Sequence, residues 1–138
     1  SDKFEQISIK RGFMKHNGGV LFRNISNIEY EFKTVINENH LNAAGITHGG
    51  FISALVDAGA GTAAHRSTGQ NPCVTISLEI KFISPVKLGQ ELIGKTKIQK
   101  KTKSMVFLTC ELTAENKIVS TSSGVWKILK LSGAGPGG

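Results

Sequence analysis

Cysteine is scarce in this chain, and its scarcity argues against a fold held together by disulfide bonds. The 138 residues include only two cysteines, Cys73 and Cys110. Both lie in apolar runs typical of β-strands, so we expect two reduced thiols in a core. Reduced thiols fit the cytosol, and residues 1–20 contain no apolar segment typical of a signal peptide. The sequence therefore predicts a cytoplasmic protein.

The sequence also lacks the motifs of several large enzyme classes. It contains no Gly-x-Ser-x-Gly segment, no phosphate-binding P-loop and no dinucleotide-binding glycine pattern. Its histidines and cysteines are not spaced as metal ligands, so no metal site is expected. Only 7% of the residues are aromatic, and they are not interleaved with Lys or Arg as a base-stacking surface requires. These absences argue against a serine-triad hydrolase, a metalloenzyme and a nucleic-acid-binding domain.

What the chain does contain is ordinary apolar content and an excess of positive charge. An apolar content of 39% and a charged content of 20% are typical of one soluble globular domain with one core. The formal net charge is +7. Such a balance favours an anionic partner, either nucleic acid or a small ligand that carries phosphates.

The longest apolar stretch follows a polar loop and predicts a buried helix. Residues 47–64 contain only two ionisable side chains, one of which is Asp57. A membrane span needs about 20 uninterrupted apolar residues, so this mid-segment carboxylate favours a helix buried within the protein. Thr47 is the expected N-cap residue. Because glycine is costly inside a helix, Gly59 and Gly61 indicate that another element packs closely against this backbone.

Strand patterns lie on both sides of this helix. Two precede it and four follow it with short turns between them, so the pairing is expected to be mostly antiparallel. The clearest alternation of apolar and polar residues runs from Val74 to Phe82. The sequence predicts an α+β domain over residues 20–131, with an antiparallel sheet of about five to six strands wrapped around one long central helix. Residues 1–19 are expected to form an arm or a short helix, and residues 132–138 a flexible tail.

The loop and the helix carry a characteristic combination of residues. Residues 42–50 read Asn-x-x-Gly-x-x-His-Gly-Gly, the helix continues with Leu55-x-Asp57, and residues 82–89 read Phe-Ile-Ser-Pro-Val-Lys-Leu-Gly. This combination resembles the PaaI-like acyl-CoA thioesterases of the hot-dog fold. The resemblance implies that fold, hydrolysis of an acyl-CoA thioester, and a homodimer or a dimer of dimers. Coenzyme A would be part of the substrate, so no separate cofactor is expected.

Thioester hydrolysis needs a hydrogen-bond donor for the oxyanion and a base or nucleophile. Gly49 and Gly50 are expected in the first helical turn, where amides have no intrahelical acceptor and the helix dipole favours negative charge. Their amides would bind the oxyanion. Asp57 is the expected general base, or instead the nucleophile that attacks the carbonyl carbon. The simpler alternative is a structural Asp57 bonded to a hydroxyl group or an amide.

The spacing of these residues predicts a site shared by two chains. Gly49 and Asp57 are eight residues apart, which is about 12 Å along a helix. One thioester carbon cannot touch both residues of the same helix. The carboxylate must therefore come from the antiparallel helix of a partner across a two-fold axis, and a homodimer would contain two such composite sites.

Three further polar residues have expected roles in this site. Asn42 would orient the attacking water or the acyl carbonyl group, or else only shape the loop. His48 would fix the loop by a hydrogen bond, with direct participation in catalysis as the alternative. The resemblance implies a serine or threonine early in the strand after the helix, and Thr75 stands there. It would hold the water or Asp57, or serve as an ordinary strand residue.

The substrate side of the site is less well defined by the sequence. Arg66, Lys101 and Lys103 are candidates for binding the phosphates of coenzyme A, although a solvated surface is the simpler interpretation. Two other functions would use the same pocket. One is a dehydratase or hydratase that acts on an acyl thioester, and the other is a non-catalytic acyl-CoA or lipid-binding module. Neither a nucleic acid nor a membrane is an expected partner.

Overall fold

One antiparallel sheet and one long helix make up most of the chain in this computed structural model, which describes residues 2–130. The elements, in chain order, are β1 (Glu5–Gln6), α1 (Phe13–His16), β2 (Leu21–Asn24), β3 (Glu29–Val35), a short 3₁₀ turn (Glu38–His40), α2 (Gly49–Ser67), β4 (Cys73–Phe82), β5 (Glu91–Lys101), β6 (Met105–Ala114) and β7 (Lys117–Ile128). The predicted α+β class and the central helix are confirmed.

The sheet has seven strands in the order β1-β2-β3-β5-β6-β7-β4. This is one strand more than the upper end of the prediction, because the first 19 residues add β1 to the edge of β2. After the helix, the chain crosses to the opposite edge of the sheet, where β4 pairs with β7. Strand β4 is therefore an edge strand, and its second edge has no strand partner within residues 2–130.

The core shows why α2 contains glycine. The Phe32 ring is fully buried and lies between the backbones of α2 and β5. A Cβ atom added at Gly59 would lie 2.4 Å from this ring, and one added at Gly94 would lie 2.2 Å from it. A Cβ atom at Gly61 would lie 3.3 Å from the indole nitrogen of Trp126. The predicted close packing against the helix backbone is confirmed.

Strand β4 departs from the regular alternation that the sequence predicts. Its register with β7 shifts between Thr75 and Ser77, which makes a β-bulge at Ile76. The bulge places Thr75 on the side of α2, together with Leu78, which packs against the core. Two of the apolar side chains in the alternating pattern are exposed, since Val74 and Ile76 are 45% and 51% exposed in the described chain. Regular alternation fails here because a bulge inserts one unpaired residue and so shifts which side chains share a face.

Both cysteines are free thiols. Cys110 is buried in β6, and this burial raises its pKa to about 11. Cys73 is half-buried at the start of β4, and burial likewise raises its pKa. The prediction of core thiols is confirmed for Cys110, whereas Cys73 lies at the margin of the core.

Several predictions concern features that this structure does not test. The predicted tail, residues 132–138, lies outside the described residues. The predicted boundary between residues 19 and 20 stays a prediction, although Ile7 and Met14 of the first segment pack against the core.

Within residues 2–130, no helix is long and apolar enough to cross a membrane. In the same range, no three His, Cys, Asp or Glu side chains are grouped as metal ligands would be.

Candidate active site

Helix α2 begins one residue later than the sequence predicts. His48 is the N-cap residue, and its Nδ1 atom accepts a hydrogen bond from the Gly50 amide at 2.7 Å. Thr47 is buried, and its amide and its hydroxyl group both donate to the Val86 carbonyl oxygen at 2.9 Å. The predicted Thr47 cap is wrong because this side chain instead anchors the loop to the segment that follows β4.

The two glycine amides at the helix start are not equivalent. Because the Gly50 amide donates to His48, it is already satisfied. The Gly49 amide precedes it in the first turn and has no acceptor within residues 2–130. The Phe82 ring approaches this glycine, and a Cβ atom added at Gly49 would lie 3.5 Å from it. Of the two amides predicted to bind an oxyanion, only the Gly49 amide is left without an acceptor in residues 2–130, and the oxyanion role itself stays a prediction.

Asn42 is held in one orientation by the loop that it begins. Its Oδ1 atom accepts hydrogen bonds from the amides of Ala44 and Ile46, at 2.9 Å and 3.3 Å. Since the oxygen faces the loop, the amide nitrogen is turned away from it, and Nδ2 has no partner in the described part of the chain. The side chain thus shapes the loop and also keeps a free donor.

An apolar cavity of about 490 Å³ lies beside Asn42 and Gly49. The segment after β4 forms its opposite wall, so the two stretches that carried the family resemblance meet here. The other residues around it are mostly apolar: Ile46, Thr47, Ile52, Phe82, Ile83, Ser84 and Pro85. A free amide donor beside an apolar space of this size suits a carbonyl group that carries a hydrocarbon chain.

Asp57 and Thr75 form a second part of the predicted site. The Thr75 hydroxyl group donates to Asp57 Oδ1 at 2.6 Å. The other carboxylate oxygen has no partner in residues 2–130, and the Asp57 side chain is exposed in the single chain. Asp57 does not line the cavity at the helix start. The structure therefore brings Asp57 to Thr75, which is one of the alternatives that the sequence left open, but does not bring it to Gly49 within one chain.

His40 is a positioning residue that the sequence analysis missed. Its buried ring accepts a hydrogen bond from the Asn37 amide at Nδ1 and bonds the Asn17 carbonyl oxygen through Nε2. The ring stacks on Phe51 in the first turn of α2, with 3.7 Å between centroids. The His40 carbonyl oxygen also accepts the His48 amide at 2.7 Å. An Asn-x-x-His capping box around the 3₁₀ turn is the only local signal that could have identified it.

The three predicted phosphate ligands lie away from the apolar cavity. Arg66 pairs with Glu5 of the first strand at 2.6 Å. Lys101 donates to the Ser67 carbonyl oxygen at 2.5 Å and so caps the C-terminal end of α2. Lys103 is exposed in the turn between β5 and β6. Contacts within the chain account for the first two side chains, and a substrate role for any of the three stays a prediction.

Sequence comparisons relate this chain to thioesterases. A family model described as the thioesterase superfamily matches residues 44–121. The chain is 33% identical over 94 residues to a Pseudomonas aeruginosa protein provisionally named an esterase (PA0474). The alignment covers 67% of this chain and 70% of that protein. It is 31% identical over 87 residues to human acyl-coenzyme A thioesterase 13, with 62% of each chain covered. The chain spans 56% to 70% of the length of the curated relatives it matches.

A structural comparison supports the same assignment of the fold. A variant of the phenylacetic acid degradation protein PaaI from Thermus thermophilus superposes with a TM-score of 0.76 at 22% sequence identity. The superposition covers 84% of this chain and 97% of that protein. The predicted hot-dog fold and the predicted resemblance to PaaI-like proteins are confirmed.

Proposed function

This chain belongs to the thioesterase superfamily, and from that premise we propose that it hydrolyses acyl-coenzyme A thioesters to a free acid and coenzyme A. The observation that carries the proposal is the Gly49 amide, which has no acceptor among the described residues and lies beside an apolar cavity of about 490 Å³. The name of the human relative, acyl-coenzyme A thioesterase 13, supports the choice of substrate class. Asn42 adds a second donor at the same place.

The proposed reaction uses Asp57 as the base. A water oxygen attacks the carbonyl carbon of the thioester while the Asp57 carboxylate accepts the water proton. The Gly49 amide donates to the oxyanion that forms. The carbon–sulfur bond then breaks, and the departing thiolate takes up a proton. Thiols have a pKa of about 8.5, so the thiolate leaves without a strong general acid. Direct attack by Asp57, with an anhydride intermediate that water then cleaves, is the alternative route.

The proposal includes a second copy of the chain, because Gly49 and Asp57 are about 12 Å apart along one helix. Two observations support such a homodimer, or a dimer of dimers. Asp57 is exposed and has one unbonded oxygen in the described chain. The adjacent edge strand exposes Val74, Ile76 and Phe82, and proteins normally cover apolar edge strands. A copy that covers β4 and α2 would bury these side chains and bring the partner subunit's Asp57 to this chain's Gly49.

The activity is tested with a panel of acyl-coenzyme A substrates, and the free thiol is measured. We expect turnover by the native protein and a fall of about 10³-fold in kcat for Asp57→Ala, since a positioned base typically contributes 10²–10⁴-fold. The isosteric Asp57→Asn keeps an acceptor for Thr75 and should be equally inactive. Tight binding without turnover would instead support a non-catalytic module, and water addition without thiol release would support a hydratase.

The shared site is tested by mixing two inactive chains. One chain carries Asp57→Ala and the other carries Asn42→Asp, so a mixed dimer keeps one intact composite site. If chains mix at random, about a quarter of the native activity should return, because half of the dimers are mixed and half of their sites are intact. A verified mixed dimer that shows no recovery would refute the shared site while leaving the thiol-release result unaffected.

A further inference from the structure

A second cavity, of about 330 Å³, adjoins the apolar cavity at the helix start. The two cavities share Ser84 and Pro85 as lining residues. The remaining residues of the second cavity come from the segment before β5 and from the β6–β7 hairpin: Lys87, Gln90, Ala114, Glu115, Lys117 and Val119. Ser84 and Pro85 therefore separate the apolar cavity from a second cavity that is lined by two lysines.

These two lysines have no ion-pair partner in the described part of the chain. Among residues 2–130 the ion pairs involve Arg23, Lys33, Arg66 and Lys81, but neither Lys87 nor Lys117. Both side chains are exposed. In contrast, the side chains of Arg66 and Lys101 are bonded within the chain. The second cavity is thus lined by two lysines that form none of the ion pairs of residues 2–130.

The backbone that carries Lys87 is held in place. The Lys87 amide donates to Gln90 Oε1 at 2.8 Å, and the Gln90 amide donates to the Lys87 carbonyl oxygen at 3.1 Å. On the other side of the cavity, Lys117 begins β7 and pairs with Ala114 across the hairpin. The positions of the two lysine backbones are therefore fixed before any ligand binds, which lowers the cost of binding.

We propose that Lys87 and Lys117 bind the phosphate groups of the acyl-coenzyme A substrate, an assignment that rests on the proposed function. In such a substrate, a pantetheine arm separates the thioester from the diphosphate. The phosphates must therefore lie outside the apolar cavity but next to it, and the shared wall at Ser84 and Pro85 provides that arrangement. Lysine ammonium groups bind phosphate as compact point charges. Glu115 lines the same cavity, so its carboxylate opposes binding and gives a second, opposite test.

The test compares an acyl-coenzyme A with the acyl-pantetheine of the same acyl group, which has no phosphates. In the double variant Lys87→Gln/Lys117→Gln, KM for the acyl-coenzyme A should rise about tenfold, because each exposed charge pair contributes only a few-fold. Its kcat and both constants for acyl-pantetheine should stay the same. Glu115→Gln should lower KM for the acyl-coenzyme A about twofold. Added salt should raise KM for the native protein only with the phosphate-bearing substrate.

The matched control is Lys100→Gln/Lys127→Gln, which removes the same charge from two exposed lysines that line neither cavity. It should leave KM unchanged. An unchanged KM in the Lys87→Gln/Lys117→Gln variant, or an equal rise with acyl-pantetheine, would overturn the assignment. So would a rise confined to a Lys101→Gln/Lys103→Gln variant. If the native protein releases no thiol, the proposed function fails. Binding of coenzyme A, measured by calorimetry, then still decides the subsite. A Kd of the Lys87→Gln/Lys117→Gln variant equal to the native Kd overturns the assignment, and a tenfold weaker Kd supports it.

Discussion

The start of helix α2 and the edge strand β4 both carry residues of the proposed site, but they differ in how many contacts a single chain makes there. At the helix start, the loop is tied down by the bonds of Thr47 to Val86 and by the amides that bond Asn42. At β4, the Asp57–Thr75 pair is exposed to solvent, and the outer edge of the strand is unpaired within residues 2–130. The half of the proposed site at the helix start is thus held by bonds within the chain, whereas the half at Asp57 is open to solvent. We infer that the second half becomes a site only when another chain binds.

The largest effect should come from blocking the open edge. Val74→Lys together with Ile76→Lys replaces two exposed apolar side chains, so the fold of a single chain should survive, while the added charge prevents another strand from pairing. We expect a monomer by size-exclusion chromatography with light scattering. We also expect kcat/KM to fall about 10³-fold, because each helix start would lose the base that the partner supplies.

A charge on an internal strand provides the control for this variant. Val35 is 53% exposed and lies at the end of β3, which is paired on both sides. Val35→Lys should therefore leave both assembly and activity unchanged. A double variant at β4 that is monomeric but fully active would show that one chain contains the whole site.

The next largest effect should come from Asn42, in the loop at the start of helix α2. Asn42→Asp keeps an oxygen that can accept the Ala44 and Ile46 amides, so the loop should keep its shape. It removes the Nδ2 donor and adds a negative charge beside the expected oxyanion. We expect kcat to fall about 10²-fold, at the lower end of the loss for one oxyanion donor, with little change in Tm. Native-like kcat in a stable Asn42→Asp protein would limit this residue to shaping the loop.

Thr75 should have a smaller effect, because it acts through Asp57. Thr75→Val removes the hydroxyl group that donates to Asp57 and keeps the β-branched shape. A hydrogen bond to a charged group is worth about 1.5–3 kcal/mol. We expect kcat to fall by the lower end of this range, about tenfold, because Thr75 acts only through Asp57. Thr75→Ser should restore most of the activity. If Thr75→Ser were as slow as Thr75→Val, the methyl group and not the hydroxyl group would be the important feature.

The orientation of Thr75 also shows where prediction from the sequence ends. The long apolar stretch correctly predicted the central helix, and the alternation of apolar and polar residues predicted the long strands, because both patterns extend over many residues. The segment from Val74 to Phe82 alternates regularly, yet the bulge at Ile76 turns Thr75 toward Asp57. The bulge occurs in the pairing of β4 with β7, and no residue type near it in the sequence indicates it. The two-residue strand β1 was missed for a related reason, since two residues carry no period.

The candidate site residues show the same difference between local sequence patterns, which can be predicted, and contacts between distant parts of the chain, which cannot. Asp57, Asn42 and Gly49 became candidates because their spacing along one segment matches the motif of the family that the sequence resembles. Contacts between distant parts of the chain were not predictable from spacing. Arg66 meets Glu5 only through the fold, and this ion pair gives a structural role to a residue predicted to bind substrate. In the same way, the sequence could not tell which of the two glycine amides would be left without an acceptor.

The smallest effect should come from His48, and it tests whether this residue caps the helix or takes part in the chemistry. His48→Ala removes the acceptor for the Gly50 amide, and loss of an N-cap costs about 1 kcal/mol of unfolding free energy. The Gly49 amide keeps its position, so kcat should fall less than about fivefold. His48→Asn supplies a good N-cap without an imidazole ring, and it should restore both the stability in urea and the activity. If His48→Asn unfolds like the native protein but loses 10²-fold or more in kcat, the ring acts in the reaction itself, and the helix start would contribute a catalytic side chain as well as a backbone amide.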